Sequence, residues 1–541
     1  MSVRDRVLGV IRRIVGTQMI VDILRDQRRA DDWAPHITSS VLVAELQRRL
    51  ASRAGAGSSA LDVELRGHLL SIIGARLGTS PAHDVHVAAK QAFDTLIAGA
   101  HPDALAVAEV VALDFREALR DPGLPLDVAC RYYDILYGLY WCGAQRFTDM
   151  ARFDTKAVIP FAEWLRSRYM PRSTPRDFPC YEQPLRVGYL STYGYLAKEN
   201  AIAKIYTPII LQHAQHLDRK VFLYCVGYST QEYLRQFEGT QVTVRDFPQE
   251  SRYDSIDTIS NNIQADNLDI LITDVGSAVA SVLFVQRVAP IQMWIDHGYP
   301  FWSIDELDWV MLPQKDFESY FGISQYRHSP ITFRSDHRQL LEQVDDQAVQ
   351  EARSFFPENA FILAFFGRKV KISKEYINAV REILIKIPRA YFLAAGTGRS
   401  SELEKLSNDP YVSNRVAILP HAIDIRVYGN IVDIFLDTFP FYGGVAVREM
   451  QTFGVPVVSL MVGQWDRILR EDRVQELVSS NINEYIDITC KLCTDNEFYS
   501  RAKAKTYELS KTYLNYHTLI DEVELAIKTA INHKTKNRSI I

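Results

Sequence analysis

The sequence of 541 residues contains no uninterrupted apolar stretch approaching the ~20 residues that a membrane-spanning helix needs. Its start, MSVRDRVLGVIRRIVG, is an apolar run broken by arginines, and it lacks the small-residue cleavage pattern of a secretory signal. An excess of one charge is also missing, since 61 basic and 66 acidic residues leave a net charge of −5. These absences argue against bulk attraction to nucleic acid or membrane, and we expect a cytoplasmic protein without a membrane span.

Cysteine is scarce as well, with six residues scattered along the chain. So few cysteines in a chain of this length exclude a disulfide framework and favour a reducing compartment. Cys490 and Cys493 have CxxC spacing, but no second pair lies nearby in the sequence. We therefore interpret them as neighbours on a helix rather than as metal ligands.

The first part of the chain is predicted to be an all-α domain, residues 1–170. Apolar residues recur there at three and four positions, as in SSVLVAELQRRLASRAG, and strand-like runs are nearly absent. No 34-residue helical-hairpin repeat is evident. The next segment, residues 171–184, contains four prolines, at positions 171, 175, 179 and 184. They exclude a helix or a central strand there, so this segment is predicted to be a linker.

After the linker, short apolar strands alternate with amphipathic helices, which is typical of parallel sheets covered by helices. The strand candidates of the first block are LRVGYL, KVFLYCV, LDILIT, PIQMWI and DWVML. Those of the second block are FILAFFG, AYFLAAG, RVAILP, VDIFLDT and VPVVSL. We predict an α/β protein with two doubly wound Rossmann-like lobes, residues 185–344 and 345–515, followed by a C-terminal helix and tail, 516–541.

Ligands of parallel sheets bind beyond the carboxyl ends of the strands, so the residues that follow each strand of the second lobe are candidates for a site. Arg368, Lys369 and Lys371 follow FILAFFG and place basic side chains where a diphosphate would be attracted. Such residues are also typical of a solvated basic turn. A Gly- and Ser-rich turn, TGRSS, follows the next strand.

Two glycines, Gly443 and Gly444, begin the helix VAVREMQTF after VDIFLDTFPF. Backbone N–H groups at such a helix start, together with the helix dipole, favour an anion, although the same turn also occurs without a ligand. Glu449, one turn further on, is suited to accept the two hydroxyls of a ribose or is an ordinary exposed glutamate. His421 follows RVAILP at another strand end.

In the first lobe, Asp274 follows LDILIT and His297 follows PIQMWI. Both side chains are candidates for proton transfer at a strand end. Each also has a structural interpretation, because His297 is compatible with a packed, hydrogen-bonded histidine and Asp274 with a helix cap.

Taken together, residues 185–515 resemble a glycosyltransferase family of GT-B fold. That family unites the nucleocytoplasmic O-linked N-acetylglucosamine transferases, SPINDLY-type proteins and the bacterial adhesin-modifying N-glycosyltransferases. The resemblance rests on LRVGYLS, APIQMWIDHGYP, FFGRKVKI and DTFPFYGGVAVREMQTFGVPVV. The FPF triplet is especially similar to the bacterial N-glycosyltransferases, whose all-helical domain the first 170 residues also resemble.

The resemblance implies a donor site in the second lobe. Lys371 then contacts the donor diphosphate, and Gly443, Gly444 and Val445 lie at its phosphates. Glu449 takes the place of the ribose-binding carboxylate, and His421 lies beside the uracil.

The sequence also departs from the family pattern. Family members usually carry Asp at the position of Glu449 and a polar or His-Thr-rich turn where this chain has Gly444 to Ala446. The family's first-lobe histidine has no clear counterpart in STYGYLAKENA, where Glu199 is the nearest polar candidate.

The implied activity is an inverting, metal-independent transfer of a hexose or N-acetylhexosamine from a UDP-sugar to a polypeptide side chain. No cofactor or metal is expected, and no Asp-x-Asp motif stands where a donor site would need one. The expected catalytic residues are His297, Asp274 and Glu199. The expected acceptor is a bacterial surface or flagellar-type protein. Two alternatives stay open, namely a glycan or small-molecule acceptor and a non-catalytic GT-B binding or assembly protein.

Overall fold

A computed structural model describes the chain from residue 108 to residue 538, with gaps. The described residues are 108, 112, 115, 116, 118–143, 151–169, 179–192, 195–196, 201–216, 218–247, 253, 256–296, 302–312, 327–331, 340, 344–396, 400–419, 423–439, 442–461, 472–512 and 517–538.

The described part of the N-terminal region is helical, in line with the predicted all-α domain. Helix α1, Leu126–Gly143, is followed by a π-helical turn, Asp154–Val158, that continues into α2, Ile159–Arg168. Aromatic residues hold these helices together, since the ring of Tyr133 packs against those of Phe153 and Phe161 with centroids 5.3 and 4.9 Å apart. Residues 1–107 lie outside the described residues.

The first sheet has seven strands in the order β5-β3-β1-β6-β7-β8-β9. They are β1 Leu185–Ser191, β3 Arg219–Val226, β5 Val242–Phe247, β6 Ile270–Thr273, β7 Ile291–Ile295, β8 Trp309–Leu312 and β9 His328–Pro330, and two short strands, β2 Tyr195–Leu196 and β4 Tyr228–Ser229, pair separately. Strand β1 pairs in parallel with β3 on one side and with β6 on the other. Further out, β5 pairs in parallel with β3, and β7 pairs in parallel with β6.

The second sheet has six strands in the order β12-β11-β10-β13-β14-β15, and its neighbours pair in parallel. The strands are β10 Phe361–Phe366, β11 Ala390–Ala395, β12 Val416–Leu419, β13 Ile434–Leu436, β14 Val457–Leu460 and β15 Val478–Ser479. When the strands of each sheet are renumbered from 1 in chain order, both sheet orders begin 3-2-1-4-5-6. This is the strand order of a doubly wound Rossmann fold.

Helices connect the strands and cover the sheets. They are α3 Ala201–Ala214, α4 Gln231–Arg235, α5 Ile256–Ala265, α6 Ala278–Val285, α7 Asp346–Ser354, α8 Lys374–Lys386, α9 Ser401–Ser407, α10 Ile425–Gly429, α11 Val445–Thr452, α12 Ile482–Thr494, α13 Asn496–Lys511 and α14 His517–Arg538. Cys490 and Cys493 are free thiols on α12, as neighbours on a helix should be.

Both faces of the second sheet are buried. Leu363 and Phe365 of β10 face one apolar cluster, whereas Ile362, Ala364 and Phe366 belong to another. Alternation along a strand sends successive side chains to opposite faces, so the unbroken apolar run of FILAFF fits a central parallel strand with helices on both sides.

The contacts divide the chain into two compact units. The first contains the described residues up to Leu196, together with Leu217–Val310 and the chain from Ala530 onward. The second contains Lys198–His216 and Met311–Thr529. Helix α3 thus belongs to the unit of the second sheet, although the sequence places it in the first lobe; the predicted domain boundaries stay predictions.

Within the described residues, none of the helices combines the length and the apolar character needed to cross a bilayer.

Candidate functional site

The order of the second sheet reverses between β10 and β13, because the chain leaves these two neighbouring strands toward opposite edges of the sheet. Such a switch point opens a crevice at the carboxyl ends of the strands. Here β10 ends at Phe366 and β13 ends at Leu436. The residues that follow both strands therefore converge on one place.

Two glycines let the backbone come close at this edge. Gly367 and Gly396 follow β10 and β11 with φ of +154° and +142°, which L side chains rarely adopt. A Cβ atom on Gly396 would lie 1.7 Å from the carbonyl oxygen of Gly367. A larger residue at Gly396 would therefore push the two strand ends apart.

The basic residues after β10 form a short 3₁₀ turn, Lys369–Lys371. The Lys371 ammonium donates a hydrogen bond to the carbonyl oxygen of Tyr442 at 2.9 Å. Burial, aided by the positive charge of Arg368, lowers the pKa of Lys371 to about 8. The basic turn therefore contacts the glycine turn, by which we mean the turn that contains Gly443 and Gly444. Lys371 lies in a partly desolvated position, where an added anion would be held strongly.

Asp437, directly after β13, organises the glycine turn. Its Oδ1 accepts a hydrogen bond from the N–H of Gly443 at 2.6 Å. Its Oδ2 accepts one from the Arg473 guanidinium at 3.0 Å, and Arg473 also donates to the carbonyl oxygen of Gly443 at 2.9 Å. Asp437 and Arg473 are each only 1% exposed, so the turn is fixed by a buried, hydrogen-bonded ion pair.

Helix α11 begins immediately after this turn. Gly444 precedes Val445, the first residue of the helix. Among the described residues, no heavy atom lies within 4 Å of where a Cβ on Gly444 would stand. The first turn of a helix has N–H groups without intrahelical partners, so an anion at Gly444 would meet backbone donors and the positive end of the helix dipole.

Glu449 lies on α11, one turn further on, and its side chain is only 8% exposed. Its Oε1 pairs with the ammonium of Lys204 at 2.5 Å. Lys204 belongs to α3 and stands 245 positions earlier in the chain. The carboxylate predicted to hold a ribose is therefore buried and already paired on one oxygen.

Asp274 occupies the corresponding switch point of the first sheet, where β6 lies beside β1. Its Oδ2 accepts from the Ser191 hydroxyl and its Oδ1 from the Thr192 N–H at 3.2 Å. Burial raises the pKa of Asp274 to about 6, although these hydrogen bonds oppose the shift. Asp274 thus ties together the ends of two neighbouring strands.

Three predicted site residues, His297, Glu199 and His421, lie outside the described residues. Lys371, Gly443, Gly444, Val445 and Glu449 are described, and all belong to the second compact unit. These residues form one candidate site, because three links connect them. Lys371 contacts Tyr442, Asp437 contacts Gly443, and α11 connects Val445 with Glu449.

Three residues of the site were not identified from the sequence. Asp437 carried a usable signal, because it follows a strand in the same way as Asp274 does. Arg473 has no local signal, since it stands 36 positions from Asp437 and meets it only through the fold. Lys204 was not considered, because the sequence pattern assigns it to the first lobe and the donor site to the second.

Comparison with curated proteins finds three SPINDLY relatives, while no family model matches the chain. A "probable UDP-N-acetylglucosamine–peptide N-acetylglucosaminyltransferase SPINDLY" of Petunia hybrida is 25% identical over 280 residues, covering 46% of this chain and 28% of that protein. The same-named protein of Arabidopsis thaliana is 22% identical over 375 residues, covering 64% of this chain and 39% of that protein. The chain therefore spans less than half the length of these relatives.

Solved structures match a larger part of the chain. An O-GlcNAc transferase mutant of Thermobaculum terrenum has a TM-score of 0.57 at 18% identity and covers 99% of this chain and 100% of its own. HepE of Anabaena, in complex with UDP and glucose, has a TM-score of 0.50 at 13% identity and covers 64% of this chain and 100% of its own.

The fold is the two-lobed GT-B fold of glycosyltransferases, as the sequence predicted. Together, the sequence relatives and the structural neighbours confirm the resemblance to the family of O-linked N-acetylglucosamine transferases and SPINDLY.

Proposed function

We propose that this chain is a glycosyltransferase that binds a UDP-sugar at the switch point of its second sheet and transfers the sugar to a polypeptide side chain. The observation that carries the proposal is the convergence of Lys371, the glycine turn and α11 at that switch point, with Lys371 tied to Tyr442. Support for a UDP-sugar comes from the printed names of the relatives and from HepE, solved with UDP and glucose.

The donor would lie with its diphosphate between Lys371 and the start of α11. The ammonium and the backbone N–H groups at Gly444 oppose the charge that develops on UDP as the leaving group. In this arrangement the chain's own donors provide the charge compensation that a divalent cation provides in other transferases. We therefore propose a metal-independent reaction that needs no cofactor.

The proposed step is a single in-line displacement. The acceptor oxygen or nitrogen forms a bond to the anomeric carbon while the bond from that carbon to the β-phosphate oxygen breaks, and UDP leaves with the electron pair. The acceptor proton passes to a base, and the configuration at the anomeric carbon inverts. His297 and Glu199 stay the predicted candidates for the base. Asp274 is less suited, because both of its oxygens accept hydrogen bonds from Ser191 and Thr192.

A polypeptide acceptor is proposed because the names of the SPINDLY relatives describe them as probable peptide N-acetylglucosaminyltransferases. The helical N-terminal region would help to dock such an acceptor, with a bacterial surface or flagellar-type protein as our leading candidate. A cytoplasmic location fits the scarcity of cysteine.

The first experiment measures nucleotide release by the purified full chain from a panel of UDP- and GDP-sugars in EDTA, with and without denatured host-cell protein. We expect release of UDP from one donor, stimulation by polypeptide, and loss of release in Lys371→Ala. Lys405→Ala is the matched control, because Lys405 is an exposed lysine paired with Glu402 on α9.

Each alternative outcome has a definite meaning. Release of UDP that denatured host-cell protein does not stimulate would point to a glycan or small-molecule acceptor. Absence of turnover and of nucleotide binding would overturn the enzymatic proposal and favour a non-catalytic binding protein. NMR of the product anomer then tests inversion.

A further inference from the structure

We propose that Lys204 is a positioning residue of the donor site, acting through Glu449. It holds Oε1 of that carboxylate and neutralises its charge, which leaves Oε2 to accept a ribose hydroxyl without repelling the donor diphosphate. This inference rests on the proposed function, because it concerns the same nucleotide site.

Lys204 and Glu449 are in direct contact. The Lys204 ammonium lies 2.5 Å from Oε1 of Glu449, and the two side chains are 29% and 8% exposed. Within the described part of the chain, the contact with Lys204 is the hydrogen bond that Glu449 makes through its carboxylate. The carboxylate is therefore oriented by one partner, and that partner is partly exposed to solvent.

The position of Glu449 explains why a partner is needed. The residue lies one turn after Gly444, where the helix start favours an anion. An unpaired, nearly buried carboxylate so close to this point would weaken the attraction for a diphosphate, since charges interact strongly where water is excluded. Lys204 removes that repulsion while the carboxylate keeps its capacity to accept a hydrogen bond.

Helix α3 is anchored so that Lys204 is held in place. Tyr206, Ile209 and Ile210 are buried, and His213 near the end of the helix is fully buried with its Nε2 2.5 Å from Oε1 of Glu524. All these residues belong to the second compact unit. A lysine near the start of an anchored helix loses less conformational freedom on pairing than one on a mobile loop.

The test measures dissociation constants for UDP by calorimetry and for uridine by competition. The variants are Lys204→Met, Lys204→Arg, Glu449→Gln and the double variant Lys204→Met with Glu449→Gln, with Lys405→Met as the surface control. We expect Lys204→Met to weaken UDP binding roughly 10- to 100-fold and uridine binding much less, because uridine carries no phosphate. Lys204→Arg should keep most of the affinity for UDP.

The double variant separates charge compensation from a purely structural role. Once Glu449 is replaced by neutral Gln, loss of Lys204 should have little further effect on UDP binding. An equal loss for UDP and uridine, or an unchanged loss in the Gln background, would overturn the inference. So would wild-type UDP affinity in Lys204→Met.

Failure of the proposed function would look different. In that case the wild-type chain itself would bind neither UDP nor a UDP-sugar, and both proposals would fall together. If Lys204→Met does not fold, Lys204→Gln replaces it in both the single and the double variant, and the same comparisons decide the question.

Discussion

At the scale of single residues, Lys371 links the acid–base behaviour of the site to ligand binding. Burial lowers the pKa of its ammonium to about 8, so the free protein loses this positive charge as the pH rises through 8. A diphosphate binds the charged form, and its own last proton is largely gone above a pH of about 7. The dependence of UDP binding on pH above 7 therefore reports on Lys371.

We predict that the dissociation constant of UDP rises about twofold between pH 7 and 8 and then more steeply, by at most about tenfold for each further pH unit. Calorimetry from pH 7 to pH 9.5 measures this rise. Lys371→Met should bind UDP weakly at every pH and lose the dependence, whereas Lys405→Met should keep it. A flat profile in the wild-type chain would contradict the assignment of Lys371 to the diphosphate.

Asp274 provides a second prediction, about stability. Burial raises its pKa from 3.8 to about 6, so ionisation of the folded state is disfavoured by about 3 kcal/mol. This cost is absent below pH 3.8, grows as the pH rises, and is complete above pH 6. Asn has nearly the same shape and no charge, so Asp274→Asn should gain stability relative to the wild type between pH 4 and pH 7.

Urea unfolding of Asp274→Asn and of the wild type at pH 4, 5.5 and 7 measures this difference. Transferase activity of the same variant should be largely retained, because Asp274 joins Ser191 and Thr192 rather than standing free at the site. A more stable but inactive variant would restore Asp274 as a candidate base.

Some residues of the candidate site could be predicted from the sequence, because the carboxyl ends of neighbouring parallel strands lie together and the residues that follow them are close in space. Lys371 and Gly443 were predicted in this way and Glu449 from its place one helical turn further on. The structure places all three in the second compact unit, and their roles in binding stay predictions. The pairing of Glu449 with Lys204 could not be predicted, since it depends on where α3 packs. Nor could the burial of Asp437 with Arg473, because no local pattern connects a strand end to a residue 36 positions away.

At the scale of elements, the turn before α11 contains two neighbouring glycines with different roles. A Cβ on Gly443 would lie 2.9 Å from a methyl group of Val447 and 3.0 Å from Oδ1 of Asp437. A Cβ on Gly444 would meet nothing within 4 Å among the described atoms. Gly443 is therefore required for packing, whereas the space at Gly444 is where we expect the donor phosphates.

We predict that Gly444→Ala melts like the wild type and binds UDP about tenfold more weakly, because the added methyl group occupies the space of the ligand. Gly443→Ala should instead lose about 1–3 kcal/mol of stability through overpacking. Thermal melts and UDP calorimetry on the two variants make the comparison. Unchanged UDP binding in Gly444→Ala would place the phosphates elsewhere.

The ten strands predicted from apolar runs are all present, because buried parallel strands need apolar side chains on both faces. Strand β5 was missed, since VTVRDF at the sheet edge has half-exposed residues between its buried ends. The short β9, HSP, has no buried residue and hence no apolar signal.

At the scale of the whole molecule, the second compact unit is assembled from separated stretches of sequence, Lys198–His216 and Met311–Thr529. The sequence pattern alone placed the boundary of this lobe at residue 345. A fragment beginning there would lack α3 and its buried residues Tyr206, Ile209 and Ile210.

We predict that residues 345–541 expressed alone are poorly soluble or melt well below the full chain, because the nearly buried Glu449 and Glu524 lose the partners that Lys204 and His213 of α3 provide. Attaching residues 198–216 and 311–344 through a flexible linker should recover solubility and UDP binding. Circular dichroism melts and UDP calorimetry measure both effects. A bare fragment that melts and binds UDP like the full chain would show that α3 is dispensable.

The separation of Lys204 from Glu449 by 245 positions also matters while the protein is being made. At about 5–20 residues per second, a ribosome needs roughly 12 to 50 seconds to synthesise the residues between them. During that interval Lys204 and His213 of α3 have been produced, whereas their partners Glu449 and Glu524 have not. We expect this period of translation to be when the nascent chain most needs a chaperone and is most exposed to aggregation.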